Sequence, residues 1–318
     1  MPPLWTCEGV VVKGATRPRL TCDGLQIESG ITAVLGESGA GKSTLLNLLV
    51  GFARPDAGRL RSALPEDDGR LPLFWVPQNE GLWPHLRVAA HVSSVQAVGA
   101  ADVTKLLQSM ELSGLEARHV AELSVGEQSR LAVARAVAAD AAVTVLDEPF
   151  VHVDRARRGL LWQRVVAKAR AAGTSLVFAT HSARMVLGFA EQVVLLREGA
   201  VIAAGSVDAL YWQPATPAIA EALGPVNWLA ADEAAIWLPG GAEKRNYRPC
   251  ELQLEAAEAD APLRVEREQF GGEVSEVTLV HVARGRQRSF CLLPGTPLPS
   301  GSPVRLSARP CRSAGGVA

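Results

Sequence analysis

The chemistry of this chain is concentrated in Gly36-Glu37-Ser38-Gly39-Ala40-Gly41-Lys42-Ser43-Thr44, which follows the apolar run Ile31 to Leu35 and opens into Leu45-Leu46-Asn47-Leu48-Leu49. Glycines at this spacing let the backbone curl so that successive N–H groups point inward at a polyphosphate, and a helix starting behind them adds the positive end of its dipole. Lys42 is long enough to reach β- and γ-phosphates, and the Ser43 hydroxyl suits a magnesium ion. The pattern predicts a nucleoside triphosphate site built as strand, loop and helix.

Three further groups bear on that site. Ala142-Val143-Thr144-Val145-Leu146 is apolar enough for a buried parallel strand and ends in Asp147-Glu148-Pro149. Two carboxylates at the C-terminal edge of such a strand are costly unless they meet a cation or polarise water, whereas a solvated turn would leave them idle. A second apolar run, Ser175 to Thr180, delivers His181 to the same edge. In Leu123-Ser124-Val125-Gly126-Glu127-Gln128, Ser124 and Glu127 have the Ser-x-x-Glu spacing of a capping box, which by itself asks for nothing more than a helix through Leu131, Ala134 and Val137.

The elements that must carry these residues follow from hydrophobic periodicity. Glu8 to Val12 and Leu20 to Ile27 read as an antiparallel strand pair broken by Gly14, Pro18 and Gly24, and Arg54 to Gly58 as a turn. Leu71 to Val76 reads as a strand whose Pro72 puts it at an edge or a strand start, with Gln78 just beyond it. From there to about Glu122, Val103, Leu106, Leu107 and Met110 recur at helical spacing between the breaks Gly99 and Gly114, predicting a small helical insertion.

Composition narrows the class. The 318 residues are 48% hydrophobic and 20% charged, enough for a large core and two domains. A formal net charge of −1 supplies no basic field to gather nucleic acid, so no nucleic-acid partner is expected. The 5 cysteines, Cys7, Cys22, Cys250, Cys291 and Cys311, stand singly, without zinc-ligand spacing or a paired framework, and fit a reducing cytosol. The start lacks the pattern of a secretory signal, and no apolar run approaches a membrane span.

Taken together, residues from about Val10 to Asn227 resemble the ATPase subunit of an ATP-binding-cassette (ABC) transporter. The matching parts occur in the family's order: the phosphate loop, the glutamine loop from Val76 through Gln78 to Val88, the signature at Leu123 to Gln128, the carboxylates Asp147 and Glu148, Asp154 and His181. The resemblance implies an α/β fold, a P-loop NTPase cassette over residues 1–226 with an antiparallel β subdomain and a helical insertion at about 79–122. It also implies ATP and Mg2+ as cofactors. ATP would be held by Gly36, Ser38, Gly39, Ala40, Gly41, Lys42, Ser43 and Thr44 of one copy and by Ser124, Gly126, Glu127 and Asp154 of a second. Mg2+ would be held by Ser43, Gln78 and Asp147, and the catalytic residues would be Glu148, His181 and Gln78.

Its further implications concern partners: a homodimer of cassettes, integral-membrane permease subunits, and indirectly a solute-binding protein, with the chain cytoplasmic and peripheral on the inner face of the cell membrane. Two departures qualify the resemblance. No aromatic residue stands near Lys13-Gly14-Ala15 to stack on adenine, leaving Arg17 or Arg19 as alternatives to a plain solvated turn. Val125 occupies a signature position where the family has glycine, adding a Cβ near the opposing triphosphate.

Beyond Gly199, the segment Val201 to Tyr211 with Pro214, Gly224 and Asn227 resembles the cassette end of importers that carry a C-terminal OB-like, transport-associated (TOBE) domain. Ala230 to Trp237, Glu251 to Leu254, Leu263 to Arg267, Glu273 to Val282, Arg288 to Leu293 and Val304 to Leu306 read as short strands, predicting a small all-β domain over 227–318. Tyr247-Arg248-Pro249-Cys250-Glu251-Leu252 is its best-matching fragment. The expected function is the ATP-hydrolysing motor of an importer for ferric iron, an oxyanion or a polyamine. A non-transport soluble ABC ATPase and a weakly hydrolytic regulatory module are the alternatives.

Overall fold

The computed structural model describes residues 2–64, 69–95, 100–238 and 245–309, and the chain divides into two compact units, one ending at Val207 and the other starting at Asp208. Gly99 and Cys311 lie outside the described residues.

In the first unit, β1 (Trp5–Val12) pairs antiparallel with β2 (Leu20–Cys22) and with β3 (Gln26–Ile27). The second strand expected over Leu20 to Ile27 is therefore split. Asp23 leaves the ladder to accept the backbone N–H of Gly9 at 2.7 Å, and Gly24 turns the chain at φ 65°. Next come β4 (Ile31–Leu35), α1 (Lys42–Leu49) and β5 (Ala57–Ser62), and the indole N–H of Trp5 donates to Leu49 O at 3.0 Å, fastening α1 to β1. The expected turn at Arg54 to Gly58 runs straight into β5, which pairs along β1. Its residues are exposed but for Leu60, so no apolar alternation announces it.

β6 (Leu73–Val76), α2 (Val88–Ser93), α3 (Ala100–Ser109) and α4 (Val125–Ala139) follow, then β7 (Val143–Asp147), α5 (Arg155–Ala172), β8 (Ser175–Thr180), α6 (Ala183–Phe189), β9 (Gln192–Arg197) and β10 (Ala200–Ser206). The sheet order is β3-β1-β2-β10-β9-β4-β8-β7-β6, with β5 branching from β1. Strands β9, β4, β8, β7 and β6 are all parallel. β4, β7 and β8 are buried at every position, which is why they read as unbroken apolar runs. β6 is the edge strand, and Pro72 sits just before it, where a missing N–H costs no ladder bond. This order sets the C-terminal ends of β4, β8 and β7 side by side, so the phosphate loop, His181 and Asp147-Glu148 emerge at one edge.

The second unit contains α7 (Val207–Trp212), α8 (Pro217–Ala222), β11 (Asn227–Trp228), α9 (Ala231–Trp237), β12 (Asn246–Tyr247), β13 (Leu252–Ala256), β14 (Leu263–Phe270), β15 (Ser275–His281), β16 (Arg286–Leu292) and β17 (Pro303–Ala308). β13-β17-β14-β15-β16 form an antiparallel sheet, and β11 pairs with β12. Ala230 to Trp237, expected as a strand, is instead the helix α9. Alanines are strong helix formers, and Asp232 and Glu233 in the first turn suit the N-terminal dipole. The helix buries Ala234, Ile236 and Trp237 in one core with Leu279 and Phe290 of the sheet.

At the centre of this unit lies Arg248, with no exposed surface. Its guanidinium donates to Tyr211 O from Nε at 3.1 Å and from Nη2 at 2.9 Å, and Nη1 reaches Ala220 O, Gly224 O and Pro225 O at 3.1, 3.0 and 3.1 Å. It also lies 3.9 Å from the centroid of the Tyr211 ring. One side chain thus satisfies the carbonyls released by the ends of α7 and α8.

Candidate nucleotide site

The loop from Gly36 to Gly41 leaves β4 and enters α1 at Lys42. Gly41 caps the helix at φ 102°, and a Cβ there would lie 3.0 Å from Arg19 O, so both conformation and space require glycine. A Cβ on Gly36 would come within 2.6 Å of Leu196 O. Lys42 is buried, its Nζ donating to Gly36 O at 2.9 Å and Glu37 O at 3.0 Å while pairing with Glu148 Oε1 at 2.9 Å. The lysine is held over the loop it serves.

Glu148 owes its reach to a backbone conformation rare for its type. At φ 48° it turns off the end of β7, and its second oxygen lies 3.5 Å from Nδ1 of the half-exposed His181. Behind it, Asp147 is buried. Burial pushes its carboxyl above the ordinary range, and a hydrogen bond from the Ser43 hydroxyl pulls the other way. Among the described residues its Oδ1 has no hydrogen-bond partner. A buried carboxylate oxygen left open beside a serine hydroxyl is a donor set suited to a hard divalent cation.

Lys42, Ser43 and Glu148 border a cleft of about 500 Å³, whereas Gly36, Ala40, Asp147 and His181 are not among the residues that line it. Ser38, Gly39, Gly41, Lys42, Ser43 and Thr44 line one side, and Gln78 and Glu148 reach it from β6 and β7. Gly14-Ala15-Thr16-Arg17-Pro18-Arg19 also lines it, a stretch with no aromatic ring and two guanidinium side chains. Glu198 and Gly199 also line the cleft, and sequence reasoning missed them. They form the turn between β9 and β10, and Gly199 locks that turn to the phosphate loop by donating to Ala40 O at 3.1 Å. The only sequence signal is a Glu-Gly turn, silent about what lies opposite.

Ser124, Gly126, Glu127 and Asp154 are absent from the residues bordering the cleft. The capping box is formed: Ser124 Oγ accepts from Glu127 N at 3.3 Å, and Glu127 Oε2 accepts from Ser124 N at 2.8 Å. The Ser124 N–H and the Ser124 hydroxyl, which also donates to Glu127 Oε2 at 2.9 Å, hold the Glu127 carboxyl below its ordinary range. Val125, at the first helical position, is 52% exposed, so its methyl groups face outward. Gly126 packs where a Cβ would lie 3.0 Å from His152 O, and Asp154 occupies the N-cap position of α5 with its side chain exposed and making no capping hydrogen bond.

Comparison with known proteins agrees with this geometry. Residues 24–151 match the ABC transporter family model. The sulfate/thiosulfate import ATP-binding protein CysA of Synechococcus elongatus is 33% identical over 299 residues, covering 85% of this chain and 86% of that protein. An Fe(3+) ions import ATP-binding protein FbpC of Pseudomonas fluorescens is 30% identical over 308 residues, covering 87% and 88%. Among solved structures, an ATP-binding subunit of an ABC transporter superposes with a TM-score of 0.56 at 21% identity over 66% of this chain and 92% of that one. The cassette MJ0796 bound to ADP and Pi gives 0.54 at 22% over 64% and 98%. At such identities the structures speak for the fold. Because the sequence similarity continues past the cassette and through most of the second unit, this chain belongs to the ABC transporter family, as one of its ATP-binding ATPase subunits.

Proposed function

We propose that the chain is the motor subunit of an importer, coupling ATP-driven closure of two cassettes to solute passage through separate membrane subunits. The observation that carries the ATPase part is the placement of Glu148: a carboxylate turned by a left-handed backbone into the cleft, next to the phosphate-binding lysine. The importer part is supported by the names of the relatives, which are import ATP-binding proteins for sulfate/thiosulfate and for Fe(3+).

In this reading the phosphate-loop N–H groups and Lys42 bind the triphosphate, with Lys42 exchanging its carboxylate partner for β- and γ-phosphate oxygens. Ser43 and Asp147 would hold Mg2+, assisted by Gln78 across the cleft. The ion supplies charge neutralisation on the phosphates. Glu148 accepts a proton from the attacking water as the water oxygen bonds to the γ-phosphorus and the bond to the ADP oxygen breaks. His181, 3.5 Å from Glu148, would donate toward the γ-phosphate in this reading. Arg17 and Arg19 take the base side, where cation–π contact replaces ring stacking.

Since Ser124, Gly126, Glu127 and Asp154 stand outside the cleft, they serve it only from a second copy, and a homodimer of cassettes is proposed on that ground. The positive end of α4 would then face the opposite γ-phosphate from behind an outward-turned Val125. Permease subunits and, through them, a solute-binding protein complete the proposed assembly. No helix among the described residues is long and apolar enough to cross a membrane, so a peripheral position on the inner face is assigned to contact with the permease. The second unit, with its five-stranded antiparallel sheet, is read as the OB-like, transport-associated domain. The solute is an oxyanion, ferric iron or a polyamine.

Co-expressed in turn with the integral-membrane permease pairs of its own organism, the chain should co-purify with one of them and drive ATP-dependent uptake into proteoliposomes. Uptake that persists without the chain, or a chain that turns over ATP but never associates with a membrane subunit, would refute the motor role and leave a soluble ATPase.

A further inference from the structure

Arg135 lies on α4, about three turns beyond the Ser124 cap, and is only 4% exposed. Among the described residues it has no carboxylate partner, and burial holds its pKa below the ordinary value. A buried guanidinium without a counter-ion is costly and calls for a reason. Its contacts supply one. Nη1 donates to Gly81 O at 2.7 Å and Nη2 to Glu80 O at 3.2 Å. Its Cζ lies 4.9 Å from the Trp83 ring centroid and 5.8 Å from that of Phe74.

Every one of those partners belongs to β6 or to the loop that carries Gln78 into the cleft. Glu80 and Gly81 are consecutive left-handed residues, at φ 58° and 57°, so the turn is a discrete conformation rather than a slack loop. Trp83 in turn stacks on His91 of α2 with centroids 5.6 Å apart and planes 11° from parallel, and His91 Nε2 is 2.9 Å from Trp83 O. A continuous path of contacts therefore runs from α4 through Arg135 to the turn after Gln78, and on to the first helix of the insertion.

The geometry points to Arg135 as a positioning residue for ATP hydrolysis: its forked guanidinium fixes the Glu80-Gly81 turn to α4, so that Gln78, Trp83 and the helix beginning at Ser124 move as one body when nucleotide enters the cleft. A planar fork serves two carbonyls and a ring at once, which a lysine ammonium does not. The inference rests on the reading of the cleft as an ATPase site.

Full-length protein labelled with 5-fluorotryptophan tests it, with the Trp83 resonance assigned through Trp83→Phe. In the unsubstituted chain, magnesium-ATP should shift that resonance. In Arg135→Ala, kcat should fall about tenfold or more with the KM for ATP within about twofold, and the ATP-dependent shift of Trp83 should vanish. Arg135→Lys should recover only part of both. If Arg135→Ala does not fold, Arg135→Lys is judged by the same two readouts. A kcat within about twofold of the unsubstituted chain, a Trp83 resonance that still follows ATP, or kcat and KM lost together would overturn the inference. Absence of turnover in the unsubstituted chain would instead contradict the proposed function itself.

Discussion

Glu148→Gln is expected to slow phosphate release by about 10²–10⁴-fold while the protein still binds ATP, the usual worth of a positioned base. The substitution is nearly isosteric, and an amide oxygen can still accept from Lys42 Nζ, which now sits 2.9 Å from Glu148 Oε1. What the amide cannot do is take a proton from water. Binding should survive because the groups assigned to the phosphates are the loop N–H groups and Lys42. Equilibrium dialysis against labelled ATP, beside a phosphate-release assay on the same preparation, separates the two effects. Unchanged turnover would remove Glu148 from the role of base, and lost binding would make it part of the phosphate site.

The largest expected effect on stability lies at Arg248, far from this chemistry. Arg248→Met should destabilise the second unit by about 3–5 kcal/mol, the scale seen when one side of a buried charged network is removed. Methionine fills much of the volume but leaves the carbonyls of Tyr211, Ala220, Gly224 and Pro225 without the donor that now reaches all four. Denaturant unfolding should show an early transition for the second unit, and limited proteolysis should cut first between the ends of α7 and α8. The first unit has its own core and should bind ATP as before. A variant as stable as the parent would mean that these carbonyls find other partners.

The phosphate loop was legible because its meaning is local: glycines, lysine and serine at fixed spacing between an apolar run and a helix. Asp147, Glu148 and His181 were legible as strand-end residues because β7 and β8 are buried on both faces and so read as continuous apolar runs. The contacts among these groups were not legible. Nothing in the sequence near Lys42 states that Glu148 is its partner, or that the Glu198-Gly199 turn closes on Ala40, since strand order decides both. Elements failed where the local signal was weak or ambiguous: β5 is exposed nearly throughout, and the alanine-rich Ala231–Trp237 segment carries apolar residues that suit a strand or a short helix. Arg248 stands in the fragment that resembles the transport-associated domain, yet its carbonyl-gathering role depends on where α7 and α8 end. Arg135 carries no local signal of its role, because the Gly81 and Glu80 carbonyls it holds lie 54 and 55 residues earlier in the chain.

Steady-state phosphate release by the purified chain, measured with and without magnesium and beside Lys42→Ala, tests the ATPase cleft most directly. The account predicts turnover that needs both magnesium and Lys42, with ATP binding itself lost in Lys42→Ala because the loop loses the cation at its centre together with the hydrogen bonds it gives to Gly36 O and Glu37 O. Equal phosphate release from Lys42→Ala and the unsubstituted chain, or none from the unsubstituted chain with magnesium-ATP bound, would contradict it.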